Sequence, residues 1–347
     1  MPRLAPPDFL SASHGALPIL DVRAPAEYAQ GHVPGALSLP LFTDEERARI
    51  GTTYKQVNPD KAVLLGLDFF GPKLRAMVEQ ARKLAPGRQV RLHCWRGGMR
   101  SGAVQWLLEL GGLEVHLLDK GYKDYRRWVL EELARPRPLR VLGGATGSGK
   151  TTVLHALAAR GELVLDLEKL ASHQGSSFGG LGQAPQPTQE QFENDLAAAL
   201  AALPPSQPIW VEDESRTIGR LAVPGAFFEQ LRAAPLLVLE VPQAARVAYL
   251  AADYGRHDAG ELASAVLRLR KRLGGLVTKE ALAAIAEDNT PRMVELVLGY
   301  YDKTYAHGLE GRPAVTVPAE NTDAATNAAR VLAAVPQLAG ISQPTAA

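Results

Sequence analysis

Cysteine is almost absent from this chain: among 347 residues there is one, Cys94. A single thiol can close no intramolecular disulfide and cannot build a multi-cysteine zinc site, so any metal is expected to be hard and oxygen-bound. No apolar run approaches the roughly 18 residues needed to span a bilayer, and no basic segment leading into an apolar stretch stands at the start. The expectation is a cytoplasmic protein with no membrane. Charge of one sign is lacking too. Lys and Arg number 38 against 37 Asp and Glu, a formal net charge of +1, which excludes a global positive field as the basis of nucleic-acid binding. Such binding would need local patches, and Arg135, Arg137 and Arg140 form one candidate, Arg268, Arg270, Lys271 and Arg272 another. Internal repeats are also missing.

What is present fits a folded enzyme or binding protein, with 46% apolar and 22% charged residues. At roughly 100 to 200 residues per domain, the length points to two domains. In the first half, strand-like residues 19–22, 36–39, 90–93 and 115–118 alternate with helix-like 26–30, 102–110 and 122–133, the rhythm of an α/β sheet. The run Arg135-Pro-Arg-Pro138 interrupts it, because two close prolines disfavour helix and remove two backbone donors. The expected division is a first domain over 1–134, a linker over 135–138, a second domain over 139–335 and a loose tail over 336–347. In the second half, strands are expected at 139–142, 163–167, 209–211 and 236–241, and helices at 151–160, 190–203, 244–252, 259–273 and after Thr322.

Gly144-Ala-Thr-Gly-Ser-Gly-Lys-Thr151 matches G-x-x-x-x-G-K-[ST] at every fixed position, between an expected strand and an expected helix. The backbone N–H groups of Gly144, Thr146, Gly147, Ser148 and Gly149 can face one concavity. The helix N-terminus adds about half a positive charge and Lys150 a full one. Polyphosphate fits such a pocket. Thr151 would place its hydroxyl on a magnesium ion, with a carboxylate from the end of a neighbouring strand. Residues 209–214 end in Glu212, Asp213 and Glu214, and alternation cannot decide among them; Asp213 is favoured.

Residues 90–93 lead into Cys94-Trp-Arg-Gly-Gly-Met-Arg-Ser101, and Ser101 is expected to cap a helix ending near Leu110. A strand, a glycine-containing loop and a helix form a cradle of backbone donors. With Arg96 and Arg100 nearby, the Cys94 thiol is expected to ionise below the roughly 8.5 of a free cysteine and to act as a nucleophile. The same cradle suits a persulfide, a perselenide or a tetrahedral oxyanion.

Leu20-Asp-Val-Arg23, Glu27-Tyr28 and Gly31-His-Val-Pro-Gly-Ala36 resemble the first conserved stretch of the rhodanese family, and a cysteine followed six residues later by arginine resembles its active-site loop. A rhodanese-like half followed by a P-loop half resembles one family in particular, tRNA 2-selenouridine synthase. The likeness rests on the Cys94–Ser101 and Gly144–Thr151 segments together with His173-Gln-Gly-Ser-Ser-Phe-Gly179, Glu212-Asp-Glu-Ser-Arg-Thr-Ile-Gly219 and Tyr300-Tyr-Asp-Lys-Thr-Tyr305. It implies an α/β protein, an N-terminal rhodanese-like domain followed by a P-loop NTPase-like parallel-sheet domain. The implied substrate is tRNA with 2-thiouridine at the wobble position. Its sulfur is geranylated from geranyl diphosphate, and the S-geranyl group is then replaced by selenium from selenophosphate. Magnesium is the implied cofactor, and a selenophosphate-supplying enzyme an implied partner. Cys94 would carry or deliver selenium. His173, Ser176, Ser177 and Arg216 are candidates for the tRNA or diphosphate pocket, since polar loops after such strands line the cleft. Arg268, Arg270 and Arg272 are candidates for tRNA backbone contacts. The main rival is a nucleotide-hydrolysing sulfurtransferase or small-molecule kinase with the same P-loop, and a third reading makes the rhodanese half a regulatory module.

Overall fold

The computed structural model describes residues 3–11 and 17–340, and in it the chain divides into two compact units, Met1–Glu132 with Glu193–Ala198, and Leu133–Phe192 with Ala199–Ala347. The first is built on a five-stranded sheet of β1 (Arg3–Leu4), β2 (Ile19–Asp21), β3 (Ala36–Ser38), β4 (Gln89–His93) and β5 (Glu114–Leu118). The order is β1-β5-β4-β2-β3, and every pairing is parallel. Helices cover both faces, so the inner strands read as nearly continuous buried runs: all three residues of β2 and Val90–His93 of β4 are buried. Leu20, Leu92, Val104, Leu108, Val115 and Leu117 form the centre of its core.

Three helices between β3 and β4, Asp44–Gln56, Pro59–Phe70 and Leu74–Leu84, were not foreseen from periodicity. The first buries none of its residues and so carries no apolar stripe to detect. The helix Gln189–Ala202 also departs from expectation. Sequence placed it wholly in the second domain, yet its middle turn belongs to the first unit. Asn194 there is fully buried, donating to the His32 carbonyl (2.9 Å) and the Tyr122 hydroxyl (2.8 Å) and accepting from Arg126 (2.6 Å). A single buried amide inside an Ala-rich helix has no sequence signature.

The second unit holds another five-stranded parallel sheet: β6 (Leu139–Gly143), β7 (Leu163–Leu165), β8 (Ile209–Glu212), β11 (Leu236–Glu240) and β12 (Ala314–Pro318), in the order β12-β11-β6-β8-β7. A small antiparallel hairpin, β9 (Thr217–Ile218) with β10 (Leu221–Ala222), follows β8. The central β6 runs into the glycine-rich loop, with β8 and its acids directly alongside. A second apolar cluster forms among the helices Gln243–Tyr254, Ala259–Arg268, Gly275–Ala286 and Thr290–Leu309, around Leu250, Leu262, Val266, Ala281, Met293 and Val297. The single helix expected over 259–273 is broken at Leu269 into Ala259–Arg268 and Arg270–Leu273. Of the tail expected over 336–347, residues 336–340 belong to the 3-10 helix Val335–Gly340, and 341–347 lie outside the described residues. Among the described residues no helix is long and apolar enough to cross a membrane.

Candidate functional site

Strand β4 delivers Cys94 into a tight loop that leads straight into the helix Met99–Leu110. Gly97 takes a left-handed φ of +63°, and a Cβ on Gly121 would lie 2.5 Å from the Cys94 carbonyl oxygen. Only glycine permits so close an approach. The loop is tied down from behind, where Tyr122 N–H donates to the Cys94 carbonyl (2.8 Å) and Lys123 N–H to that of Trp95 (2.9 Å). Ser101 is not the helix cap; Gly98 holds that position. Because the helix starts earlier, Ser101 lies inside it, buried, with its hydroxyl 3.2 Å from Cys94 Sγ.

Burial pushes the Cys94 thiol up, but the Ser101 hydroxyl, the Arg96 backbone N–H, the Arg100 charge and the Ser101 backbone N–H together outweigh it and leave the thiol below its ordinary value. The sulfur itself is only 2% exposed as part of its residue. Arg96 contributes through its main chain, its side chain being exposed. Arg100 is aimed by Glu27, whose carboxylate it meets at 2.8 Å. Behind the loop, Arg23 is fully buried, its Nε bonding both oxygens of buried Asp21 (3.0 Å each) and its guanidinium lying 3.6 Å from the centre of the Tyr122 ring. The Leu20–Arg23 segment therefore braces the sheet under the loop and does not reach the thiol.

In the second unit, Gly147 and Gly149 are left-handed (φ +82° and +76°), so that the loop curls back to the N-terminus of the helix Lys150–Ala158. Lys150 Nζ donates to the Gly144 carbonyl (2.8 Å). Arg246 fastens the loop from outside. It donates to the Thr146 carbonyl (3.1 Å) and grips Asp302 with two bonds of 2.8 Å. In front lies a cavity of about 1020 Å³. Gly144, Thr146, Gly147, Gly149, Lys150 and Thr151 line it, whereas Ser148 is buried and does not.

The acids sort differently from expectation. Asp213 lines the cavity but accepts two bonds from Arg312 (2.7 and 2.9 Å), with Arg232 3.7 Å away, so its carboxylate is already paired with cations. The carboxylate beside Thr151 is Glu168, which accepts its hydroxyl proton at 2.8 Å. Gly175 (φ +66°) backs both Glu168 and Glu214, since a Cβ there would lie 3.1 to 3.2 Å from oxygens of each. Burial and then Glu168 push Glu214 up to about 8, while burial raises Glu168 against the pull of Lys150. Glu212 is fully buried, and its Oε2 has no hydrogen-bond partner among the described residues. Two crowded carboxylates and a threonine hydroxyl suit a hard divalent cation that completes its shell with phosphate oxygens and water. Among the described residues no group of three or more His, Cys, Asp and Glu could hold a metal unaided. Glu168 was missed because it follows β7 by three residues with no motif around it; the only signal is an acid just past a strand.

Ser176 and Ser177 line the cavity, Ser177 N–H donating to the Tyr301 hydroxyl (2.9 Å). Arg272 lines it as well; Arg268 and Arg270 are exposed and do not, Arg268 donating to the Ser177 carbonyl (2.8 Å). His173 and Arg216 lie outside the lining. A Cβ on Gly219 would stand 2.8 Å from the His173 ring, and Arg216 lies 5.2 Å over the Phe228 ring. The tyrosines that line the cavity, Tyr249, Tyr254, Tyr300, Tyr301 and Tyr305, were not assigned a role from sequence.

A thiol loop on one parallel sheet and a phosphate loop on another define a rhodanese-like domain fused to a P-loop domain. Comparison with known proteins agrees: a rhodanese-like domain profile matches residues 7–127, and the profile of the tRNA 2-selenouridine synthase AAA domain matches 137–333. A tRNA 2-selenouridine synthase of Marinobacter nauticus is 39% identical over 77% of this chain and 78% of its own, and one of Shewanella sediminis 34% identical over 89% and 92%. One of Alcanivorax borkumensis is 38% identical over 88% and 93%. The chain belongs to the tRNA 2-selenouridine synthase family.

Proposed function

We propose that the protein is a tRNA-modifying transferase that converts wobble 2-thiouridine to 2-selenouridine in two steps. In the first, the base sulfur displaces diphosphate from geranyl diphosphate. In the second, selenium from selenophosphate bonds to C2 of the base and the geranyl thiol leaves. S-alkylation turns a thiocarbonyl into a system with a far better leaving group, which is the chemical reason for the order.

The observation that supports this reading best is the coexistence in one chain of a low-pKa thiol cradle and a phosphate loop facing a cavity of about 1020 Å³. In the first step, Lys150 and the loop N–H groups would meet charge developing on the departing diphosphate. Magnesium, held by Thr151 with Glu168 and Glu214, would supply further charge stabilisation there. In the second step, selenium would attack C2 at the selenide level it has in selenophosphate, the geranyl thiol leaving and water taking up the phosphoryl group as phosphate; Cys94 would deliver it, its cradle and Arg100 favouring the anion, with no Cys–Se bond formed. Arg268, Arg270 and Arg272 would meet tRNA phosphates, and Ser176 and Ser177, which line the cavity, would meet the bound substrate, whereas His173 and Arg216 lie outside the lining.

The deciding experiment supplies thiouridine-containing tRNA, geranyl diphosphate, magnesium and selenophosphate but no nucleotide, and reads the nucleosides by mass spectrometry. Geranylated and then selenated uridine is expected. A strict requirement for ATP or GTP would overturn this reading in favour of a nucleotide-hydrolysing sulfurtransferase or kinase.

A further inference from the structure

The helices Gln243–Tyr254 and Thr290–Leu309 each turn one stripe toward the phosphate loop. From the first come Tyr249, Leu250, Asp253 and Tyr254; from the second Tyr300, Tyr301, Thr304, Tyr305 and Gly308, at the spacing of one helical face. The same stripes continue the helical core: Leu250 and Tyr254 are buried in it beside Val247, Met293 and Val297, and Tyr249, Tyr300 and Tyr301 pack against it. The core of these helices therefore runs out into the cavity wall as tyrosine.

These rings are fixed in place. Tyr254 stacks on Phe178 with centroids 4.9 Å apart, the Tyr301 hydroxyl accepts the Ser177 N–H, and Tyr300 and Tyr301 rings lie 5.2 Å apart. The Arg246–Asp302 pair ties one helix to the other, and Arg246 ties both to the loop through the Thr146 carbonyl. Leu250 packs on the loop itself, since a Cβ on Gly147 would lie 2.7 Å from it, and it lines the cavity together with the tyrosines. A group attached to a loop-bound diphosphate would share that cavity with them.

We propose that Tyr249, Leu250, Tyr254, Tyr300 and Tyr301 seat the prenyl chain, and that their ring faces stabilise the allylic cation formed as diphosphate departs. This rests on the prenyl-transfer reading above. In that step the C1–O bond breaks with its electron pair going to the diphosphate, a sulfur lone pair of the thiouridine forms the C1–S bond, and the N3 proton passes to water. Aromatic faces carry negative quadrupole density and attract cations, an effect strongest where water is displaced. The same rings would shelter the apolar chain, and Tyr254, buried and stacked on Phe178, would bound the space it fills and so limit its length.

The test uses full-length protein, thiouridine tRNA, magnesium, and dimethylallyl, geranyl and farnesyl diphosphates in competition. Tyr249 and Tyr300, both only half-buried, are changed to Phe and to Leu, and Tyr254 to Ala. Each Phe variant should keep kcat within about threefold, whereas each Leu variant should lower it by about 3- to 30-fold with a smaller change in KM, the range of one cation–π contact. Tyr254→Ala should move preference toward farnesyl diphosphate. The thermal midpoint and circular dichroism of each variant serve as the folding control and should stay at wild-type values for the Tyr249 and Tyr300 variants. Wild-type kcat and unchanged chain-length preference in the Leu and Ala variants, in a protein that does geranylate, would overturn the proposal alone. A wild type that transfers no prenyl group, and whose Leu variants instead lose ATP binding, would overturn both it and the reading beneath it.

Discussion

Both anion-binding turns of this protein follow a parallel strand and open a helix, yet they aim their donors at different targets. In the Cys94 loop polar groups converge on an atom of the chain itself: the N–H groups of Arg96 and Ser101 and the Ser101 hydroxyl, which accepts from the thiol, lower its pKa, and Arg100 is held in place by Glu27. In the phosphate loop the strongest donor is turned on its own backbone, Lys150 bonding the Gly144 carbonyl. The first loop therefore favours a resident thiolate and, on the proposed function, would make it a nucleophile. The second is arranged for an incoming one, and Lys150 must exchange a neutral carbonyl for charged phosphate, a stronger partner. Similar backbone geometry thus yields a reagent in one place and a receptor in the other.

The sharpest break of this comparison is Cys94→Ser. A hydroxyl is not a soft nucleophile near neutral pH, so selenium incorporation should fall to background while geranylation persists, both read by nucleoside mass spectrometry. Wild-type selenouridine in that variant would remove the carrier role from the first loop. Next in size is Lys150→Ala, where loss of one preorganised charge should lower geranylation by about 10²- to 10³-fold and spare selenation of pre-geranylated tRNA. Equal loss of both activities would mean that the two loops do not divide the chemistry.

A finer probe is Ser101→Ala. Removing a hydrogen bond to a charged group is worth about one pKa unit, so iodoacetamide alkylation of Cys94 near pH 7 should slow about tenfold and its pH profile should move up. An unmoved profile would assign the low pKa to Arg100 and the backbone alone. The smallest effect concerns the acids beside the phosphate loop. Glu214 sits at about 8 against an ordinary 4.5, raised by burial and then by Glu168. A folded value above the unfolded one gives stability that is complete below the ordinary carboxyl range and is lost as pH rises toward 8. Without added magnesium, Tm should therefore decline between pH 5 and 8, and Glu214→Gln should flatten that decline by a few degrees. Magnesium with inorganic diphosphate should flatten it in the wild type as well. A slope unchanged in the variant would place the crowding elsewhere, at Glu212 or Glu168.

Much of the architecture was legible because local rules and global fold agree. Strand, glycine loop and helix at 90–110 and 139–160 carry their own punctuation, and parallel strands buried on both faces read as apolar runs. Where no local rule applied, reading failed. The helix Asp44–Gln56 buries nothing and leaves no stripe. Among Glu212, Asp213 and Glu214, strand alternation cannot decide, because it says nothing of which partner waits at each position, and Arg312, 99 residues away, is what pairs with Asp213.

The sequence by itself determined the chemistry on offer: one thiol in a donor-rich turn, one phosphate loop, and the rhodanese-like and P-loop halves that carry them. Those are properties of contiguous residues, in which glycine positions and a following helix dictate the backbone. The tertiary structure alone decided which side chains serve each loop. Ser101 reaches Cys94 because the helix begins at Met99, Glu168 reaches Thr151 from another βα unit, and five tyrosines reach the cavity from two helices that are 35 residues apart along the chain, Tyr254 to Thr290. Contacts of that kind depend on how separate elements pack, and packing is settled by the summed burial of the whole unit, which no window of sequence contains.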